Sequence, residues 1–330
     1  MNEPRPSPVY YLGIDLGGTN IKSGVVDDEG RALSHVSLPT QADHGGEAGI
    51  ASLAEAGRRA VEASGVGWDG IAAVGLGTPG TMDIDAGMLL EPPNLPGWEN
   101  LPIRARLEEK LGKPTVLQND GNAAAFGEYW AGAGRGARSE VMFTLGTGVG
   151  CGIVIDGVIL QGRHSHGGEC GHIIVQAVNG RRCSCGGIGH LEAYASATAV
   201  ARRALEALEA ETTPSSLRTI DPGQLDSRAV FMAAQAGDAI AARIMSETAY
   251  YLAVGAVSLM HTIDPDVVLF GGGMIAAGSP FLTTIQKHVK ELAFPIPAAR
   301  TRIEFALLGG DAGFIGAAGW ARALHGSGKK

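Results

Sequence analysis

Cysteine is scarce in this chain: four in 330 residues, two of them as Cys183-Ser-Cys185, which does not look like the disulfide framework of a small secreted protein. Long apolar runs are missing too. The longest, around Leu252 to Met260, is half of the roughly 18 residues that a membrane span needs. Met1 to Pro8 is polar and proline-rich, without the apolar segment of a secretory leader, so a frayed tail, a cytoplasmic location and no membrane partner are expected. Positive charge is also in short supply. Lys plus Arg total 26 against 34 for Asp plus Glu, a net charge of -8, and no basic cluster offers itself to nucleic acid or an anionic membrane. No G-X-Y period, tandem short repeat or G-x-x-x-x-G-K-[ST] motif occurs, which excludes collagen, short-repeat solenoids and the P-loop fold.

What the chain has in excess is glycine, 50 of 330 residues, about twice the usual ~7%. With 45% hydrophobic and 18% charged residues it can still bury a sizeable core, and its length suits one large domain or two. Glycine at this density implies many places where backbone must approach a ligand or another strand.

Strand-like and helix-like patterns alternate. Val9 to Leu16, Ile21 to Val26 and Ala32 to Leu38 are three apolar runs joined by tight turns, hence antiparallel strands. Helices are expected over Glu47 to Ala63, Ile103 to Leu111 (ended by Gly112), Asp120 to Ala131, Thr198 to Glu211, Ala239 to His261 and Ala312 to Leu324. Further strands are expected at Ile71 to Leu76, Thr115 to Leu117, Val141 to Leu145, Gly152 to Ile155, Val158 to Leu160 and Val267 to Phe270, with Thr212 to Gln224 as a loop. A hairpin carrying Gly17-Gly18-Thr19 is echoed later by one carrying Gly146-Thr147-Gly148, which suggests a duplicated α/β fold with a ligand between its lobes.

Such turns aim backbone N–H groups and a hydroxyl at phosphate oxygens. Asp15, at a strand end beside Gly17, Gly18 and Thr19, adds a carboxylate suited to a hydrated Mg²⁺. One match is a decoy. Gly75-Leu-Gly77-Thr-Pro-Gly80 fits the dinucleotide fingerprint G-x-G-x-x-G, but Pro79 and Thr81-Met-Asp83-Ile-Asp85-Ala-Gly87 continue as a turn and hairpin. No helix N-terminus follows to receive a pyrophosphate.

Taken in order, the motifs resemble those of the ROK family of bacterial sugar kinases and repressors, within the actin-like ATPase superfamily. They are Asp15-Leu-Gly-Gly-Thr-Asn20, Pro93-Asn94-Leu-Pro-Gly-Trp98, Gln118-Asn119-Asp120-Gly-Asn-Ala-Ala-Ala, Thr144-Leu-Gly-Thr-Gly-Val-Gly150, Gly168-Glu169-Cys-Gly-His172 and Cys183-Ser-Cys-Gly-Gly-Ile-Gly-His190-Leu-Glu192. Pro93 to Trp98 and Leu191 to Ala197 most resemble the family's glucokinases. The resemblance spans Tyr11 to Trp320 and implies a two-lobed, duplicated ribonuclease H-like α/β fold with an interlobe cleft. A small lobe of residues 1–118, with the C-terminal segment 311–330, would face a large lobe of residues 119–310 carrying a zinc-binding loop.

The same resemblance implies an ATP-dependent hexose kinase acting on glucose. Asp120 would be the general base, although a residue heading an alanine-rich helix also reads as its N-cap. Gly80, Asn119, Glu169, His172 and Glu192 would bind sugar hydroxyls together with Asp120. Gly17, Gly18, Thr19, Thr144, Gly146, Thr147 and Gly148 would hold phosphates beside Asp15 and its Mg²⁺, and Gly271, Gly272 and Gly273 would receive the adenosine. The family's zinc motif has a third cysteine where His190 stands here. His172, Cys183, Cys185 and His190 are therefore expected to hold a structural Zn²⁺, since imidazole is itself a good ligand. Cys151 reads as a buried hydrophobe, Cys170 stands where the family has an apolar residue, and His164 and His166 read as polar loop residues. A sugar-responsive repressor is disfavoured because only fourteen residues precede Asp15, with Arg5 their one basic side chain. Another hexose, N-acetylmannosamine, a regulator without a DNA-binding domain and a polyphosphate donor stay open as alternatives. A homodimer or homotetramer is the family habit.

Overall fold

The computed structural model describes residues 9–92 and 95–326. The tail Met1 to Pro8 and the first two residues of the Pro93-Asn94-Leu-Pro-Gly-Trp98 motif lie outside them. Among the described residues no helix is long and apolar enough to cross a membrane.

The first half of the chain runs β1 (Tyr10–Leu16), β2 (Asn20–Asp27), β3 (Val36–Pro39), α1 (Gly46–Ser64), β4 (Ile71–Thr78), β5 (Thr81–Asp83), β6 (Met88–Glu91), α2 (Ile103–Leu111), β7 (Thr115–Asn119) and α3 (Asp120–Ala131). β1 pairs antiparallel with β2 and β2 with β3, as expected, while β4 joins β1 and β7 joins β4 in parallel. The third strand starts later than its apolar run suggests. Ser34 Oγ accepts the Val25 N–H at 3.0 Å, so a side chain takes the place of a ladder carbonyl there. β5 and β6 form a hairpin of their own directly after the glycine fingerprint, which carries no helix. The core beneath this sheet joins Leu12, Ile14, Leu53, Leu76 and Leu107 to Trp98, whose indole N–H donates to the Ala42 carbonyl at 3.2 Å.

The second half runs β8 (Ser139–Leu145), β9 (Val149–Ile155), β10 (Val158–Ile159), α4 (Glu192–Ala195), α5 (Ala197–Ala210), α6 (Ser227–Gln235), α7 (Ala239–Ile263), β11 (Val267–Gly271), α8 (Ser279–Leu292), α9 (Pro295–Arg300), β12 (Arg302–Phe305) and α10 (Ala312–His325). Its sheet is ordered β10-β9-β8-β11-β12, against β3-β2-β1-β4-β7 in the first. Counted within each sheet, both read 3-2-1-4-5, so the duplication suggested by two glycine turns is present in the strand order itself. Phe143 and Phe270 stack at 5.5 Å on neighbouring β8 and β11, and α7 buries Leu252, Ala253, Ala256 and Met260. The stretch expected as a loop holds two short 3₁₀ turns, at Ser216–Thr219 and Pro222–Gln224.

Contacts divide the chain into two compact units: Met1–Gly136 with Gly152–Gly168 and Leu308–Lys330, and Ala137–Cys151 with Glu169–Leu307. The boundary expected after Gln118 falls ahead of α3, which this division keeps with the first unit. Glycine explains that attachment. A Cβ on Gly316 of α10 would lie 1.7 Å from the Ala123 carbonyl of α3, so the two helices meet backbone to backbone.

Candidate functional site

In the first unit, Asp15 is the last residue but one of β1, opposite Lys22 in the β1–β2 register and beside Gly77 of β4. The turn that follows, Gly17 to Thr19, is closed by Gly17 N–H on the Asn20 carbonyl at 3.0 Å, with Gly18 and Thr19 exposed. Burial first, then the charge of Asp120, push the Asp15 carboxyl up to about 7, against the pull of Lys22. Lys22 and Gly313 are absent from the sequence-derived residues. Lys22 Nζ donates to the Gly310 carbonyl at 2.8 Å, and a Cβ on Gly313 would lie 2.4 Å from Asp15 Oδ2, so α10 opens with bare backbone against this carboxylate. The glycines at 313, 316 and 319, three apart in a helix, are the signal that could have found that face.

A pH dependence follows. Between the ordinary 3.8 and about 7 the folded chain keeps a proton on Asp15 that the unfolded chain has released. This group's contribution to stability therefore falls as pH rises through that window and is flat above it. Asp15→Asn should gain on the wild type progressively, by up to a few kcal/mol at ~1.4 kcal/mol per pKa unit. Urea unfolding of both proteins at pH 5 and pH 8 measures the difference; equal values at the two pH points would refute it.

Asp120 is the first residue of α3 but not its cap. Asn119 has the extended backbone of an N-cap and its Oδ1 accepts the Asn122 N–H at 3.2 Å, while Asp120 Oδ1 accepts the Gly121 N–H at 2.8 Å. The reading of Asp120 as N-cap is thus off by one residue, because the strand-to-helix change of backbone occurs at Asn119. Gly80, at a φ of +91°, has its α-carbon face against Pro92, 2.6 Å from where a Cβ would sit.

In the second unit the turn from Thr144 to Gly148 is tied at three points. Gly146 N–H donates to the Gly148 carbonyl at 3.0 Å, Ala197 N–H to the Gly146 carbonyl at 2.9 Å and Thr198 Oγ1 to the Thr147 carbonyl at 2.9 Å. Glu192, first residue of α4, accepts the Val149 N–H at 3.1 Å on Oε2 and the Ser184 hydroxyl at 2.6 Å on Oε1, where the Cys183 thiol also donates at 3.4 Å. Burial pushes its pKa up, but these three bonds and the nearby His172 outweigh it and hold the carboxyl below its ordinary range. Glu169 is exposed, just before the 3₁₀ turn Cys170–His172. Gly271 is buried at the end of β11; Gly272, at a φ of +86°, passes so close to Leu145 that a Cβ would meet its carbonyl at 2.4 Å, and Gly273 is open.

His172, Cys183, Cys185 and His190 converge, their ligand atoms all within 4.8 Å of one another. Cys185 Sγ lies 3.2 Å from His190 Nδ1 and Cys183 Sγ 3.8 Å from His172 Nδ1. Tetrahedral zinc with ordinary bond lengths needs about 3.6 Å between sulfur and nitrogen ligands, between the two observed values. Cys170, His164 and His166 stand outside the cluster. Bridges of Ile174 with His190 and Arg182 with Ile188 fold the loop so that ligands far apart in sequence meet.

The chain matches the family described as "ROK family" over residues 11–324. A glucokinase of Halalkalibacterium halodurans is 38% identical over 312 residues, 94% of each chain. A ROK hexokinase from Thermus thermophilus superposes with a TM-score of 0.84 at 37% identity, over 97% of this chain and 100% of that one. A ROK family glucokinase from Streptomyces griseus, solved with glucose and AMPPNP, gives 0.79 at 34% identity, over 95% and 99%.

Proposed function

The chain belongs to the ROK family, and from that premise we propose that it transfers the γ-phosphoryl group of ATP to the 6-hydroxyl of glucose. Its two sheets of one strand order are those of the actin-like ATPase fold. It is an enzyme, a sugar phosphotransferase that uses ATP.

Asp120 takes the proton of the 6-hydroxyl as the oxygen forms its bond to the γ-phosphorus and the bond to the β–γ bridging oxygen breaks, releasing ADP. The observation that carries this role is its place in α3. With Asn119 as the cap, Asp120 sits in the first turn, where the positive end of the helix favours an ionised carboxylate. Asn119, Glu169, His172 and Glu192 pair with the other hydroxyls, and Gly80 lets backbone come close to the ring. Gly17 to Thr19 and Thr144 to Gly148 hold the phosphates, and Gly271 to Gly273 receive the adenosine. Asp15 fits a hydrated Mg²⁺, which when bound would neutralise charge on the phosphoryl oxygens.

The two-sulfur, two-nitrogen donor set fits Zn²⁺. Held there, zinc would fix the loop between His172 and Glu192. Both ligand contacts of the imidazoles run through Nδ1, which leaves His172 Nε2 to face a hydroxyl.

An assay of the sugar phosphate formed from glucose, mannose, fructose, allose and N-acetylmannosamine, with ATP or polyphosphate as donor, tests the reading. Glucose with ATP is expected to give the highest kcat/KM. Turnover with polyphosphate alone, or with none of the sugars, would overturn it.

A further inference from the structure

Two buried amides lie directly behind the Asn119–Asp120 turn. Gln118, near the end of β7, is 1% exposed and Asn122, in the first turn of α3, is 2% exposed. Gln118 Oε1 accepts the Asn119 N–H at 2.9 Å and Asn122 Nδ2 at 3.1 Å. Asn119 Oδ1 in turn accepts the Asn122 N–H. The backbone that delivers Asp120 is thus held from the strand side and from the helix side at once.

The pair is nevertheless only half satisfied. Gln118 Nε2 and Asn122 Oδ1, one donor and one acceptor, have no partner among the described residues. Around them the chain is apolar: Val116 and Leu117 precede, Ala123 and Ala125 follow, all buried. Buried amides with unmet hydrogen bonds are costlier than apolar side chains of the same shape, so stability alone does not account for them. What they do provide is direction: bonded to each other, they hold Gln118 Oε1 where it takes the Asn119 N–H of the turn.

We propose that Gln118 and Asn122 are positioning residues for the phosphoryl transfer, holding the Asp120 carboxylate in the one orientation that meets the acceptor hydroxyl. This rests on Asp120 as the base. A base that swings by even an ångström loses its alignment with the proton, and rate falls while ground-state sugar contacts persist.

The double substitution Gln118→Met/Asn122→Leu removes both amides at nearly constant volume. We expect a folded protein with a Tm within a few degrees of the wild type, because two half-satisfied amides are removed while the Asn119 N–H loses its acceptor, kcat lowered at least tenfold and KM for glucose and ATP within threefold. In an Asp120→Asn background the same pair should change kcat by less than twofold, because the group it acts through is gone. Asn122→Leu alone, which leaves the Gln118–Asn119 bond, carries the test should the double variant not fold; it should show at least a threefold kcat loss and the same lack of additivity. A lowered Tm with kcat intact, or an equal kcat loss in both backgrounds, would overturn the inference while leaving Asp120 as the base. Near-normal turnover of Asp120→Asn by itself would instead remove the base.

Discussion

Asp120→Asn is expected to leave a folded protein that still binds glucose within a few-fold of the wild type and turns over about 10²–10⁴ times more slowly. The amide keeps the shape and one acceptor, so it can still take the Gly121 N–H that Asp120 Oδ1 accepts at 2.8 Å. It cannot take a proton. Because Asn119 caps the helix, the substitution does not strip α3 of its N-cap, and a large loss of turnover is attributable to chemistry rather than to fraying. Steady-state kinetics with glucose and ATP, beside a thermal melt, separate the two. A variant with near-normal kcat would reduce Asp120 to a residue of the helix's first turn.

The second large effect is expected from zinc. Purified protein should carry about one zinc per chain, and chelation should weaken glucose binding and destabilise the protein together. The cluster spans a loop that ends on Glu192, itself tied through Ser184 and Cys183 to the turn that carries the two cysteines and through Val149 to the β8–β9 turn. Losing the metal therefore frees the loop and a glycine turn at once. At 2–4 °C per kcal/mol for a unit of this size, a loss of several kcal/mol lowers Tm by roughly 10 °C. Metal analysis finding far less than one zinc with activity intact would sink the site. His190→Ala should weaken zinc at least ~10-fold; unchanged affinity would mean that His190 is not a ligand.

Much of this architecture was legible residue by residue. The helix over Ile103–Leu111 stops at Gly112, which takes the left-handed conformation that glycine adopts at little cost, and α3 spans the expected Asp120–Ala131. That His172, Cys183, Cys185 and His190 come together was legible as well, through the resemblance to the family's Cys-x-Cys motif. Residues 279–305 were not assigned, although α8 opens on Ser279-Pro280 and buries Phe281, Ile285 and Val289 at helical spacing. β12 has only four residues, too few for periodicity to tell it from a loop.

The local elements, the paired glycine turns, the two cysteines and two histidines that cluster and the motifs that mark the family could all be read along the chain, because each depends on residue type and short spacing. The tertiary structure alone decided the rest. Asn119 rather than Asp120 caps α3 because a backbone turn falls there. Asp15 holds a proton up to about pH 7 because burial and Asp120's charge act on it together. Gln118 and Asn122 share a hydrogen bond because β7 runs straight into α3. Each of these follows from which groups are enclosed together and cut off from water, and spacing along a chain does not carry that.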